Sequence, residues 1–396
     1  MSKWLLVRRL LAGRPLQNSI AVLVMAFSVA LAVCVLLVSS GLHDGLVQAA
    51  KPFPMLMGAK GSPNQLVLNS VFLKDQPVGN FSYDEVVKLR GNKNVSQAIP
   101  LGFGDNYRGF RLVGSEPEIF SFKGIGAGSG PWLHVGQGKI FSGKGQAVIG
   151  SEVARLTGLK IGDRFVSVHG MISTKSSRAH KEQYTVVGIL DKVHGPYDSA
   201  IFVSMESIWE QHKQQQKGHE KEVTAVVIRP NSYGGAMQLA ASYGKNRDVQ
   251  VIFPSKTVIQ LFSILGNVEK LLQFLSMAVL VLALLIIGSS LYWFVLGSQR
   301  QQAVMRALGA TVKQVTHLYF CLGMTLVGSG LVLGLVGGQG LYALLAYVLR
   351  QYAGLVLGFG FLPAEGILAL AVIICGALCS YIPARMWGRH DIADSL

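Results

Sequence analysis

Charged side chains are scarce in this chain. Asp, Glu, Lys and Arg make up 14% of 396 residues, against about 25% in an ordinary soluble domain, and the shortage is concentrated. No charged residue stands between Arg14 and Asp44, Lys270 and Arg300, Lys313 and Arg350, or Glu365 and Arg385, gaps of 29, 29, 36 and 19 residues. A helix needs about 20 mostly apolar residues to cross the hydrocarbon core. Each gap has room for one crossing, which excludes a soluble enzyme, a disordered chain and a secreted disulfide scaffold. Cysteine is as restricted. Cys34, Cys321, Cys375 and Cys379 all fall in the gaps, so the long segment between the first two crossings has none and must rely on its own core. At i, i+4 spacing in an apolar helix, Cys375 and Cys379 read as packing residues rather than metal ligands. There is no G-x-x-x-x-G-K-[ST], no H-E-x-x-H and no G-x-S-x-G. Ser142-Gly143-Lys144-Gly145 lacks the upstream glycine and following hydroxyl of a P-loop and reads as a surface turn. Charge is almost absent within the gaps, which disfavours an intramembrane ion or proton relay.

What remains is a polytopic α-helical membrane protein with four transmembrane helices, one plus three, expected at residues 20–42, 271–296, 316–342 and 367–382. Lys and Arg in short flanking loops set the orientation. The basic amphipathic segment 1–19 carries Lys3, Arg8, Arg9 and Arg14, the loop 297–315 carries Arg300, Arg306 and Lys313, and the tail 383–396 begins with Arg385 and Arg389. The short loop 343–366 sets only Arg350 against Glu365. Both termini and the 297–315 loop are therefore expected in the cytoplasm, and residues 43–266 outside. The first apolar stretch, about 23 residues, exceeds the roughly 7–15 of a signal h-region, so it is expected to stay as an anchor.

The outer segment 43–254 reads as an α+β domain of two lobes. Strand-like runs, bounded by Gly, Asp or Pro, are Gln97–Phe103, Phe110–Val113, Arg164–Val168, Tyr184–Leu190, Ala200–Ser204, Val223–Arg229 and Val249–Phe253. Helix-like pieces are Tyr83–Arg90, Ser151–Leu156, Met205–Lys213 and Ala236–Tyr243, and Gln211–Glu222 is too polar to bury. Over 43–266 there are 25 basic and 17 acidic residues. No basic, aromatic-interleaved run resembles a nucleic-acid face, and the charge reads as topology plus attraction to anionic membrane. His169, His180 and His194 match no ligand spacing, so no metal is expected.

From Ser255 no proline interrupts the chain until Pro363. Apolar Val258, Ile259, Phe262, Leu265 and Val268 lie at helical spacing over a stalk, 255–270, that can run straight into the second crossing. A continuous helix over 255–298 would be about 66 Å long, roughly twice the hydrocarbon thickness. In the third crossing Gly330, Gly334 and Gly338 recur every fourth residue and let another helix approach closely. The 297–315 loop contains a short amphipathic helix ending at Gly309, with Val304, Met305 and Leu308 as its apolar face, Ala307 beside them, and Arg300 and Arg306 expected to project alongside.

The run from Arg300 to Thr311, R-x-x-x-V-M-R-A-L-G-A-T, resembles the cytoplasmic loop of the FtsX-like permease family, and the ending I-P-A-R…D-I-A-D-S-L is similar to that family's C-terminus. Ala147–Gly162 (AVIGSEVARLTGLKIG) and Tyr184–Leu190 (YTVVGIL) resemble a MacB-type periplasmic core domain. Gln301 and Gln302 stand where the family loop often has an acid. The resemblance implies a multi-pass permease subunit of an ABC transporter in the bacterial inner membrane. It would work as a homodimer or heterodimer, with ATP and Mg held by a separate ABC ATPase rather than by this chain, and with a periplasmic adaptor or lipoprotein as further partner. It assigns ATPase coupling to Arg300, Val304, Met305, Arg306, Ala307, Leu308 and Gly309. Related systems use ATP hydrolysis to move periplasmic domains, and their substrates range from peptides and macrolides to lipoproteins. The alternative is an FtsX-like signalling scaffold that activates a periplasmic cell-wall hydrolase.

Overall fold

In the computed structural model the described residues are 3–124, 130–170, 179–212, 221–353, 358 and 360–387. Expectations for the 213–220 part of the polar loop, for the C-terminal run 391–396 and for the side chain of His180 lie outside them. The chain divides into two compact units. One comprises 1–41, 266–348 and 357–396, the other 42–265 and 349–356.

The elements, in chain order, begin with helices α1 (Lys3–Gly13) and α2 (Pro15–Ala50). Next come β1 (Met55–Ala59), α3 (Pro63–Ser70), β2 (Phe81–Ser82), α4 (Asp84–Arg90), β3 (Val95–Tyr107) and β4 (Phe110–Ser115). A short 3-10 turn at Pro117–Ser121 leads to β5 (Val135–Gly138), β6 (Gln146–Ile149), α5 (Ser151–Thr157), β7 (Arg164–His169) and β8 (Ala179–Leu190). Then follow β9 (Ala200–Ser204), α6 (Met205–His212), β10 (Glu222–Val223), β11 (Ala225–Pro230), α7 (Tyr233–Tyr243) and β12 (Val249–Ile252). The chain continues through α8 (Pro254–Leu296), α9 (Gln299–Ala307), α10 (Val312–Ala353) and α11 (Pro363–Trp387).

Ten strands of the α+β unit form one mixed sheet, ordered β12-β1-β11-β3-β4-β9-β6-β8-β5, with β7 pairing both β3 and β8. β10 and β2 form a separate small ladder. The thirteen-residue β3 joins the two halves: Val95–Leu101 pairs β11, and Gly102–Tyr107 pairs β4 across a register shift. The two lobes expected from the sequence thus share a continuous sheet. Both faces of its first half are covered. On β1, Met55 and Met57 belong to one apolar cluster and Leu56 to another; on β11, Val226 and Ile228 oppose Ala225 and Val227 in the same way. A strand buried on both faces reads as an unbroken apolar run, not as alternation, which is how β1 escaped notice. Helix α3 carried a usable signal: Ser62 caps it, accepting the Gln65 N–H at 3.4 Å, and Pro63 opens it.

Among the described residues four helices are long and apolar enough to cross a membrane: α2, α8, α10 over Val312–Leu349, and α11 over Pro363–Arg385. All run past the charge gaps. α2 continues through His43 and Asp44, and α11 starts early enough to place Glu365 in its first turn rather than in a loop. There Glu365 is buried, and its carboxylate accepts from Gln339 Nε2 at 2.9 and 3.1 Å and from the Leu362 N–H at 3.0 Å. A charge reports where water or a partner is, not where a helix ends. α8 runs without a break for 43 residues, about 64 Å at 1.5 Å each.

Candidate functional site

The glycine stripe of α10 has a partner. A Cβ built on Gly330 would lie 2.7 Å from the Met25 Cβ, and one on Gly334 2.5 Å from the Val29 Cβ and 2.8 Å from the Ala26 carbonyl. At Gly338 the Val33 Cβ would be 2.8 Å away and the Ala30 carbonyl 3.0 Å. Met25, Val29 and Val33 are fully buried on α2. Only residues without a Cβ let the two backbones come this close.

α9 is set between two defined ends. Its Leu308 N–H reaches the Val304 carbonyl at 3.0 Å, Gly309 the Arg306 carbonyl at 2.9 Å and Ala310 the Met305 carbonyl at 3.0 Å. Gly309 makes this possible at φ +94°, a left-handed conformation that a side chain would strain. Two residues on, Thr311 starts α10 with a capping box. The Gln314 N–H donates to Thr311 Oγ1 at 3.3 Å, and the Thr311 N–H donates to Gln314 Oε1 at 2.9 Å. The A-L-G-A-T stretch is thus a helix stop followed at once by a helix start.

At 100° per residue the faces of α9 separate cleanly. Gln302 and Ala303 are buried. Gln302 Nε2 donates to the Val295 carbonyl at 2.9 Å, and in the preceding turn Ser298 Oγ donates to the Phe294 carbonyl at 2.7 Å. On the opposite side Val304 is 53% and Leu308 83% exposed, with Met305 half-buried at the flank and Ala307 exposed. Arg306 departs from the expected arrangement. Two residues from Val304, it is turned about 200° away, half-buried on the inward arc. The side chain of Arg300 lies outside the described residues. Sequence inspection missed Gln302, treating it as the replacement of a family acid. The signal was its place three residues from Gln299 and two from Val304, on the arc opposite the apolar pair.

The start of α2 supports this corner. Arg14 lies over the Phe294 ring, 5.1 Å from guanidinium carbon to ring centroid, and Gln17 Nε2 donates to Ser290 Oγ at 3.1 Å. Phe294 meets Tyr319 of α10 edge to face at 6.1 Å. α2, α8 and α10 therefore converge on the root of α9 and leave its Val304–Leu308 stripe uncovered.

The α+β unit offers fewer chemical groups. Among the described residues no three of His, Cys, Asp and Glu gather as metal ligands. His169 Nδ1 lies 3.3 Å from the buried Asp105, and His134 Nδ1 lies 2.7 Å from Asp191 at the surface. Arg111 is buried, donating to the Asp75 carbonyl at 2.6 Å and the Asn69 carbonyl at 3.4 Å. Burial pulls its guanidinium down to about 10. These contacts hold loops and strand ends together.

A model of the MacB-like periplasmic core domain matches residues 19–242, and a model of the FtsX-like permease C-terminal matches 274–392. Among solved structures, the periplasmic region of MacB from Actinobacillus actinomycetemcomitans aligns at 8% identity and a TM-score of 0.35, covering 55% of this chain and 95% of that one. A domain of a putative permease protein from Porphyromonas gingivalis aligns at 11% identity and a TM-score of 0.28, covering 52% and 89%. No curated protein matches. With one model covering more than half the chain and the other most of the remainder, the chain belongs to the MacB/FtsX-type family of ABC transporter permeases.

Proposed function

We propose that this permease subunit sits in the bacterial inner membrane with both termini in the cytoplasm, and that it converts ATP hydrolysis by a separate ABC ATPase into movement of its α+β domain for export or extraction of a substrate. The observation that carries the proposal is the two-sided α9. One arc is anchored into the bundle through Gln302, Ala303 and the Ser298 turn; the other presents Val304 and Leu308 to the outside. Two large apolar side chains so exposed on a short helix call for a covering surface, and a groove on the ATPase fits. α8, which ends two residues before α9, has no interior proline back to its first residue, Pro254. That continuity suits a stiff element carrying motion between membrane and domain. No nucleotide, metal or other cofactor is assigned to this chain itself, and it acts as a homodimer or heterodimer, with an adaptor or lipoprotein as a further partner.

The deciding experiment is co-purification with the cognate ATPase after Met305→Asp plus Leu308→Asp. Burying each apolar side chain is worth roughly 1.5–3 kcal/mol, so the double change should abolish co-purification while insertion and fold survive. Wild-type recovery of the ATPase with an inserted mutant would remove α9 as the coupling element. Orientation has its own check: a cysteine at Lys160 should react with an impermeant thiol reagent in intact cells, and one at Leu308 only after lysis. Labelling of both from one side would overturn the proposed topology.

A further inference from the structure

β3 is an interior strand for only part of its length. It pairs β11 through Val95–Leu101, but β4 runs beside it only from Gly102 onward. β4 ends at Ser115, whose Oγ donates to the Pro100 carbonyl at 2.9 Å. Beyond that bond, no strand among the described residues lies along the β4 side of Val95–Ile99. A cleft of about 290 Å³ occupies this side, lined by Val95, Ser96, Gln97, Ala98, Ile99, Arg90, Glu116 and Glu118. Successive residues of a strand point to opposite faces, so five in a row can line one cleft only if it follows the strand's edge.

The cleft's cation is already engaged. Arg90 donates to the Ala98 carbonyl from Nε at 3.1 Å and from Nη2 at 3.0 Å, pairs with Glu116, and contacts the Tyr83 hydroxyl at 3.2 Å. Tyr83 in turn donates to Glu116 at 2.7 Å. Burial is the main reason the Tyr83 phenol sits above its usual range, with Glu116 adding to it. The acceptors are less committed. Gln97 Oε1 is buried with no hydrogen-bond partner among the described residues, and Glu118 is exposed at the rim. Arg90, Glu116 and Glu118 leave the cleft one negative charge in a segment with an excess of eight basic residues. One backbone position there also lacks a cross-strand neighbour. Ser96 stands at the register shift between Arg229 and Pro230 and has no partner residue in β11.

From this geometry we infer that the β3 edge is a docking slot for an extended peptide segment of another protein carrying a Lys or Arg side chain. The segment's backbone pairs with Ser96, and its basic side chain reaches Glu118 at the rim. This is strand addition to a sheet edge, with main-chain bonds giving affinity and a side-chain contact giving selectivity. Pro100, which has no N–H, and the Arg90 bond to Ala98 confine pairing to a short stretch and guard the edge against indiscriminate association. The slot does not depend on how α9 meets an ATPase.

The test uses the full-length protein in lipid nanodiscs and three probes: acetyl-Thr-Val-Lys-Val-Thr-amide, its Glu-for-Lys counterpart, and acetyl-lysine amide. The Lys peptide should bind, the Glu peptide roughly tenfold more weakly, a difference of one charge-assisted hydrogen bond, and the single residue not measurably. Glu118→Lys should weaken the Lys peptide by a similar factor, while Glu206→Lys, an exposed charge on α6, leaves it unchanged. Ser96→Pro should abolish binding. N-methylation of the peptide at the residue before its lysine does the same without altering the protein. Failure of the Lys peptide to bind, equal binding of the two peptides, or indifference to Glu118→Lys would overturn the slot. Acetyl-lysine amide binding as well as the peptide would show a cation contact without strand pairing, which also overturns it.

Discussion

The sheet domain and the helix bundle are held together by different means. Around β9 the domain buries Phe202 against Phe120 and Tyr197, with ring centroids 5.4 and 5.8 Å apart, inside a cluster of large aliphatic and aromatic side chains. In the bundle, close contacts are made by residues with no side chain, Gly330, Gly334 and Gly338 against α2, while Leu333 and Val336 of the same helix face outward. In water, burying a large apolar side chain releases free energy in proportion to its area. Lipid is as apolar as leucine, so nothing is gained by hiding one there, and cohesion comes from close backbone approach. Size stabilises one half of this protein, and its absence stabilises the other.

The contrast can be broken at several points. The largest effect is expected at Phe202→Ala, where loss of a fully buried ring costs about 3–5 kcal/mol; limited proteolysis of the α+β domain in the full-length protein should show the drop, and native resistance would contradict the core described here. Next comes Gly334→Leu. Its Cβ has no room beside Val29, so overpacking of about 1–3 kcal/mol or more should lower the detergent-melting temperature, whereas Leu333→Ala, at an outward position, should stay within about 0.5 kcal/mol of wild type. If the two change stability alike, the glycine stripe is not the contact. Gln302→Leu removes one hydrogen bond at the α9 root, worth about 0.5–1.5 kcal/mol, and should loosen α9 enough to raise thiol reactivity of a cysteine at Ala303.

The smallest effect concerns pH. Tyr243 donates to Glu85 at 3.3 Å, and burial, reinforced by that carboxylate, lifts its phenol from 10 to about 12. A folded pKa above the unfolded one means the native state holds its proton longer, so this contribution is intact below about pH 10 and is lost as pH rises towards 12. Tyr243→Phe should flatten part of the alkaline decline in domain stability over that window, and an unchanged slope would remove the assignment.

Much of this was readable from residues alone, but unevenly. β9 begins and ends where its turn-bounded run of Ala, Ile, Phe and Val does, because Ser199 and the α6 start mark both edges. The run Val223–Arg229 is two strands, since Val223 pairs Phe81 of β2 while Ala225 onward pairs β3, and between them the Thr224 hydroxyl donates to Asn80 and accepts from the Phe103 amide. Such a break depends on residues more than a hundred positions away, and no local pattern encodes it. At the candidate site the apolar pair Val304 and Leu308 was visible from its spacing. The half-inward turn of Arg306 follows from the same spacing, although its positive charge suggested that it projects beside the apolar pair.

The stop at Gly309 and the start at Thr311 fix more than the ends of two helices. They set the angular phase of the Val304–Leu308 stripe relative to α10, as a keyway sets a gear on its shaft. One residue inserted between Ser298 and Leu308 would advance that stripe by about 100° and swing part of the anchored arc outward. Substitution would leave the direction of the stripe unchanged; a change in length would redirect it. On the proposed docking of α9 to an ATPase, that contact would tolerate changes of residue identity on α9 and not changes of its length.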